Sequence, residues 1–165
     1  MPENRPSSLN WITAFIATGG FSGYAPVAPG TAGAFVCAVL AWFVLPEVTF
    51  AGGAGPVSVM LLSIVAFIIL AVWAAGAAEP VYGKDASRIV IDEFAGFILA
   101  IAFLPKTVLV YIAAFLLFRL LDIVKPFPAR RLESVPGGLG IVLDDVVAGI
   151  YANVLIRIML LVRGF

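Results

Sequence analysis

The chain has 165 residues, 62% hydrophobic and 12% charged, with a formal net charge of +0 and a mean hydropathy of +1.11. Soluble domains are about half apolar and a quarter charged, so much of this surface needs a solvent other than water. The absence of a basic block removes the footprint of nucleic-acid binding. Histidine is missing and Cys37 is the single cysteine, which excludes imidazole catalysis, a disulfide framework and a zinc centre.

The leading MPENRPSSLNW is short and polar, with no basic region running into an apolar core, so no cleaved signal peptide is expected. Residues 9–18 are apolar but shorter than the roughly 20 residues a span requires, and predict a short interfacial or re-entrant helix. Gly19 to Gly33 is too rich in glycine and proline for one regular helix. Irregular backbone at membrane depth survives only where protein buries it or where it lines a wet cavity. It reads either as a plain loop or as a pocket wall, with Thr31 and its neighbouring amides opening the next helix toward an anion.

Five spans are then expected: Thr31 to Leu45, Val57 to Ala78 with a break or bend at Pro80 and Gly83, Arg88 to Leu104, Thr107 to Val124, and Leu139 to Val162. An amphipathic turn is expected over Ala129 to Ser134. The fold class is therefore all-α, a polytopic membrane bundle of about five spanning helices plus the short N-terminal helix, as one domain over residues 1–165. Five spans put Arg5, Lys84, Arg88, Lys125, Arg130 and Arg131 on one side, and Lys106 and Arg163 on the other. By the positive-inside rule the first side is cytoplasmic. The glycine-rich stretch, the acids and the basic loop all fall on it.

The chemistry-bearing residues lie in KDASRIVIDEFAG (Lys84 to Gly96) and in the run from Phe118 to Gly149. A helix starting at Arg88 would set Asp92 and Glu93 roughly 6 to 8 Å in, near the interface. Asp144 and Asp145 open the last span in the same way, and Asp122 ends the fourth. Acids in spanning segments are costly and usually mark function. Asp92 and Asp145 are each followed four residues on by glycine, Gly96 and Gly149, on the same helix face. Small residues let helices approach closely, so two helices are expected to present carboxylates to one centre.

Clustered carboxylates repel or take up protons unless a cation joins them. Hard oxygen ligands near water suit Mg²⁺, completed by waters and a substrate phosphate; ligand type does not separate it from Mn²⁺. Asp92, Glu93, Asp122, Asp144 and Asp145 are the candidate metal ligands. Of these, Asp92, Glu93, Asp122 and Asp145 are also the candidate catalytic acids and bases. Thr31, Arg119, Lys125 and Arg130 are the candidate phosphate-binding residues, Arg by bidentate contact. A water activated by metal or carboxylate can then attack phosphorus in line, with no histidine and no covalent intermediate. The blander alternative is structural. Arg88 with Asp92 and Arg119 with Asp122 have the spacing of plain ion pairs, and Arg130 and Arg131 suit headgroup anchors. Glu79, Lys106, Arg157 and Arg163 read as helix-end anchors.

APVAPGTAG (Ala25 to Gly33), SRIVIDEFAG (Ser87 to Gly96), FRLLDIVKPFPARRLE (Phe118 to Glu133) and GGLGIVLDDVVAG (Gly137 to Gly149) together resemble the bacterial phosphatidylglycerophosphatase A family. The likeness runs through essentially the whole chain in order. It implies a magnesium-dependent phosphatase of the bacterial inner membrane that converts phosphatidylglycerophosphate to phosphatidylglycerol and inorganic phosphate. It also places Asp92 and Glu93 in the family's acidic motif, Asp122 and Lys125 in D-x-x-K-P, Asp144 and Asp145 in D-D, and Thr31 in P-G-T-x-G. The implied partners are the lipid substrate and the bilayer, with no nucleic acid and no stated oligomeric state. Two rivals stand beside this reading. One is a phosphatase for another lipid phosphomonoester such as phosphatidic acid. The other is a small transporter or cation channel, which predicts acids spread through the bilayer's depth.

Overall fold

A computed structural model describes residues 9–83 and 86–163, so the topology anchors expected at Arg5 and Lys84 lie outside the described residues. Among those described there are seven α-helices and no strand. They are α1 (Trp11–Ala17), α2 (Pro29–Val44), α3 (Ala54–Tyr82), α4 (Ile91–Ile101), α5 (Val108–Val124), α6 (Ala129–Leu132) and α7 (Gly138–Arg163).

Local chemistry sets most of the ends. Asn10 caps α1, its Oδ1 accepting from the Ile12 amide at 3.1 Å, and Thr107 caps α5 by accepting from the Val110 amide at 3.3 Å. Pro29 opens α2, where a missing N–H costs nothing. The expected break falls at Gly83 and not at Pro80. The helix α3 continues to Tyr82 and stops at Gly83, whose φ of 104° no L side chain favours. Pro80 sits in the last turn, where it removes one hydrogen bond, and the Gly83 amide still closes the helix on the Glu79 carbonyl at 2.8 Å.

Five full-length spans are not what the chain forms. Among the described residues only α3, with 29 residues, and α7, over the 25 residues of Gly138–Val162, are long and apolar enough to cross a membrane. The expected span 88–104 is the clearest correction. Helix α4 is 11 residues long, about 17 Å at 1.5 Å per residue, and a hydrocarbon core is about 30 Å thick. It ends where Ala102 and Phe103 turn away, Phe103 at a φ of 57°.

That short helix is the centre of the molecule. It packs against α2, α3, α5 and α7, and eight of its residues are buried. A helix ending inside an apolar bundle leaves carbonyls without donors, and α7 supplies them. Asn153 Nδ2 donates to the carbonyls of Leu99, Ala100 and Ala102 at 3.0, 3.2 and 2.9 Å. Arg157 Nη2 donates to those of Ala102 and Phe103 at 3.0 and 3.2 Å. Arg157 is thus no free helix-end anchor. It satisfies the blunt end of α4, with Phe50 against its guanidinium at 5.1 Å.

At its other half α4 meets α7 backbone to backbone. A Cβ at Gly149 would collide with the Gly96 carbonyl, and one at Gly96 would lie 2.7 Å from the Asp145 carbonyl. The close approach expected from the two glycines is present, and it places the acids of α4 beside those of α7.

Candidate active site

Asp92 and Glu93 are the second and third residues of α4, in its first turn. The helix begins at Ile91 and not at Arg88, so Asp92 is not one turn along from Arg88. The Arg88–Asp92 ion pair is absent among the described residues, and the Arg88 guanidinium instead covers the Tyr24 ring at 5.2 Å. Freed of that partner, Asp92 and Glu93 are buried under the ends of α2, α5 and α7, each 9% exposed. They also lie where a helix N-terminus favours negative charge.

Carboxylate oxygens of Asp92, Glu93 and Asp145 gather within 4.8 Å of one another, and so do those of Asp122, Asp144 and Asp145. Asp145 belongs to both groups and joins them into one cluster. Two cations reach it. Arg119 Nη1 lies 2.8 Å from Asp122 Oδ2 and 3.6 Å from Glu93 Oε1, linking α5 to α4. Lys125 Nζ lies 2.8 Å from Asp144 and 3.2 Å from Glu133. Burial alone would push the Lys125 amine toward neutrality, but the hydrogen bonds and charges of Asp144 and Glu133 outweigh it and raise its pKa above the ordinary value. It stays an ammonium near neutral pH.

Lys125 caps α5 at a φ of 48°, and its amide closes the helix on the Leu121 carbonyl at 2.8 Å. A left-handed lysine costs about 1 kcal/mol or more, and the two ion pairs oppose that cost. Tyr151 Oη donates to the Phe127 carbonyl at 2.9 Å, holding the turn that carries Lys125.

The glycine-rich stretch forms the wall on the α2 side. A Cβ on Gly30 would strike Glu93 Oε1 and come within 3.2 Å of Arg119 Nη2. Gly30 and Thr31 are the second and third residues of α2, so their amides have no intrahelical acceptor. Gly30 therefore stands where Glu93 and Arg119 meet, with Thr31 next to it in the same turn. Arg130 does not join the acids. It is exposed and lines a neighbouring cavity with Glu133. Glu133, which sequence reasoning missed, comes in through a turn whose spacing has no periodicity to read.

Five carboxylates thus face one arginine and one lysine. Asp92 Oδ1, Glu93 Oε2, Asp144 Oδ1 and Asp145 Oδ2 are buried with no hydrogen-bond partner. Buried carboxylate oxygens without partners are costly, and an all-oxygen set of this kind fits a hard divalent cation. No helix carries an acid at mid-depth: α4 has none after Glu93, α5 none before Asp122 and α7 none after Asp145. The acid-lined path that a channel requires is missing from these helices.

Fold and site together define an all-helical protein, apolar on its flanks, whose acidic centre is buried at one end of the bundle. Residues 15–160 match the family described as Phosphatidylglycerophosphatase A. A Bacteroides thetaiotaomicron protein provisionally named as a phosphatidylinositol-3-phosphatase is 38% identical, over 97% of this chain and 99% of its own. Proteins named phosphatidylglycerophosphatase A from Haemophilus influenzae and Escherichia coli are 34% and 35% identical; they match 94% and 82% of this chain and 95% and 76% of their own. No solved structure matches. The chain belongs to the phosphatidylglycerophosphatase A family and is a phosphatase.

Proposed function

We propose that the chain hydrolyses phosphatidylglycerophosphate to phosphatidylglycerol and inorganic phosphate, with the acid cluster as the reacting centre and Mg²⁺ as its cofactor. The bundle is embedded in the bacterial inner membrane with this end toward the cytoplasm. The observation that carries the reading is the convergence of Asp92, Glu93, Asp122, Asp144 and Asp145, with unpartnered buried oxygens, beside Arg119 and Lys125.

Asp92, Glu93, Asp122, Asp144 and Asp145 would hold the cation, which when bound supplies Lewis-acid stabilisation of the phosphate's charge. Arg119 and Lys125, already fixed by their carboxylates, offer positive charge to the non-bridging oxygens, and the amides of Gly30 and Thr31 add donors. Glu93 Oε2 is the unpartnered oxygen of the acid that reaches Arg119. It takes the proton as water attacks phosphorus; the P–O bond to glycerol breaks, and the leaving oxygen takes a proton from water at the interface, Glu93 later returning its own to solvent. Lys125 stays charged, so it serves as a countercharge and not as the proton donor.

Membrane embedding rests on α3 and α7, and also on the outward faces of the shorter helices. Phe35, Val39, Leu40 and Phe43 of α2 and Leu109, Ile112, Leu116 and Leu120 of α5 are all exposed. A belt of that size needs a nonpolar solvent. The lipid's tails would then stay in the bilayer while its phosphomonoester meets the acids at the interface.

The test is phosphate release by detergent-purified protein from phosphatidylglycerophosphate, phosphatidic acid and phosphatidylinositol 3-phosphate, each with Mg²⁺ and with EDTA. Release from the first, abolished by EDTA and restored by Mg²⁺, is expected. Faster release from phosphatidylinositol 3-phosphate, the activity named for the Bacteroides relative, would overturn the substrate. Activity that survives EDTA would overturn the cofactor.

A further inference from the structure

Beside the acid cluster, and not part of it, lies a cavity of about 370 Å³ lined by the polar Glu79, Arg130, Glu133 and Ser134 and by the apolar Val135 and Ile141. By sequence Glu79 reads as a helix-end anchor, and Glu133 and Ser134 carry no assigned role. We propose that this cavity is the headgroup subsite. It takes the glycerol and phosphodiester that separate the reacting phosphate from the lipid's diacylglycerol, and so distinguishes this substrate from a lipid monophosphate. The proposal rests on the hydrolase reading above.

Three observations support it. The cavity connects to the acids through one side chain: Lys125 Nζ touches Asp144 of the cluster at 2.8 Å and Glu133 of the cavity wall at 3.2 Å. A phosphate held at Lys125 therefore has its ester substituent within reach of the cavity.

The lining also matches a hydroxylated diester. Glu79 and Glu133 are acceptors for hydroxyl groups, Ser134 gives and accepts, and Arg130 offers a planar guanidinium to a phosphodiester. Among the described residues Arg130 makes no ion pair, so its charge is available.

Finally, the cavity is shaped by glycines that hold Glu79 opposite the rest. A Cβ on Gly138 would strike the Val72 carbonyl of α3, and one added at Gly76 would lie 3.2 Å from the Gly138 amide. That contact brings the start of α7 against α3. Glu79 is three residues beyond Gly76, on the same face of α3, and so faces the cavity. At Gly140 a side chain would run into the Val135 carbonyl.

The experiment uses full-length Glu79→Gln and Ser134→Ala proteins in detergent with Mg²⁺. KM for phosphatidylglycerophosphate and kcat are measured, with inhibition by phosphatidylglycerol and by inorganic phosphate. Phosphatidylglycerol keeps the glycerol and diester but lacks the reacting phosphate. For Glu79→Gln, KM and the phosphatidylglycerol inhibition constant are expected to rise about tenfold, because the amide keeps an acceptor oxygen but loses the charge that strengthens its hydrogen bond to a glycerol hydroxyl. Its kcat and its inhibition by inorganic phosphate stay within twofold of the parent. Ser134→Ala is expected to move the same two constants by a smaller factor. Unchanged phosphatidylglycerol inhibition in both variants overturns the subsite. So does a fall in kcat with weaker inorganic-phosphate inhibition, which would mean a disturbed acid cluster. No release by the parent protein from phosphatidylglycerophosphate is a different failure, one that removes the hydrolase reading and the subsite with it.

Discussion

Asp145 is the residue on which the acid cluster turns. It is 3% exposed, belongs to both carboxylate groups, and makes no ion pair among the described residues. Asp144, its neighbour, is already matched by Lys125 at 2.8 Å. The two adjacent aspartates should therefore differ. Asp145→Asn is expected to lower kcat by more than about a hundredfold, since it removes the one acid common to both groups. Asp144→Asn should cost clearly less, because Lys125 keeps Glu133 as a partner. Phosphate-release kinetics of the two variants at saturating Mg²⁺ checks this, and equal losses would mean that the cluster has no shared centre. Arg119 shows how far one side chain could be read from sequence. Its contact with Asp122 at i,i+3 was visible in the spacing, whereas its reach to Glu93 on α4 depends on how α5 packs.

Helix α4 places the acids because both of its ends are held. Its first turn is buried under α2, α5 and α7, and its last carbonyls are taken by Asn153 and Arg157. The glycine contact with α7 sets the lateral distance. Gly149→Ala forces a methyl onto the Gly96 carbonyl, and overpacking of this kind costs about 1–3 kcal/mol. The variant should unfold at lower temperature in detergent and lose activity beyond what its folded fraction explains, because α7 carries Asp145 away from Asp92. Thermal unfolding followed in parallel with kcat tests it; full activity in a destabilised protein would show that the spacing does not matter. The pairing of IVIDEFAG with IVLDDVVAG was legible because i,i+4 spacing fixes a helix face. The length of α4 was not, since its start and end depend on partners elsewhere in the chain.

At the scale of the molecule the charges are sorted by end. The acids, Arg119, Lys125 and the cavity with Arg130 occupy one end, while Lys106 donates to the Leu45 carbonyl at the other. The proposed orientation puts the first end in the cytoplasm. Arg131 is exposed beside that end, and the native thiol of Cys37 is buried at 2% exposure. Arg131→Cys in a Cys37→Ser background should therefore react with a membrane-impermeant maleimide in inside-out vesicles and stay unlabelled in intact cells. The reverse pattern would invert the topology.

Read alone, the sequence determined the all-helical class, the apolar flanks, the acids that cluster and the two glycines beside them. Those properties depend on composition and on spacing within one helix, which are local. The tertiary structure decided which acids share a centre, that Arg88 belongs with Tyr24 and not with Asp92, and that Glu133 joins Lys125. It also decided that the third hydrophobic run is a short helix capped from its neighbour and not a full span. Hydropathy measures what a segment can bury. How far a helix runs before turning depends on which carbonyls find donors, and for α4 those donors lie more than 50 residues away, Asn153 being 54 residues from Leu99.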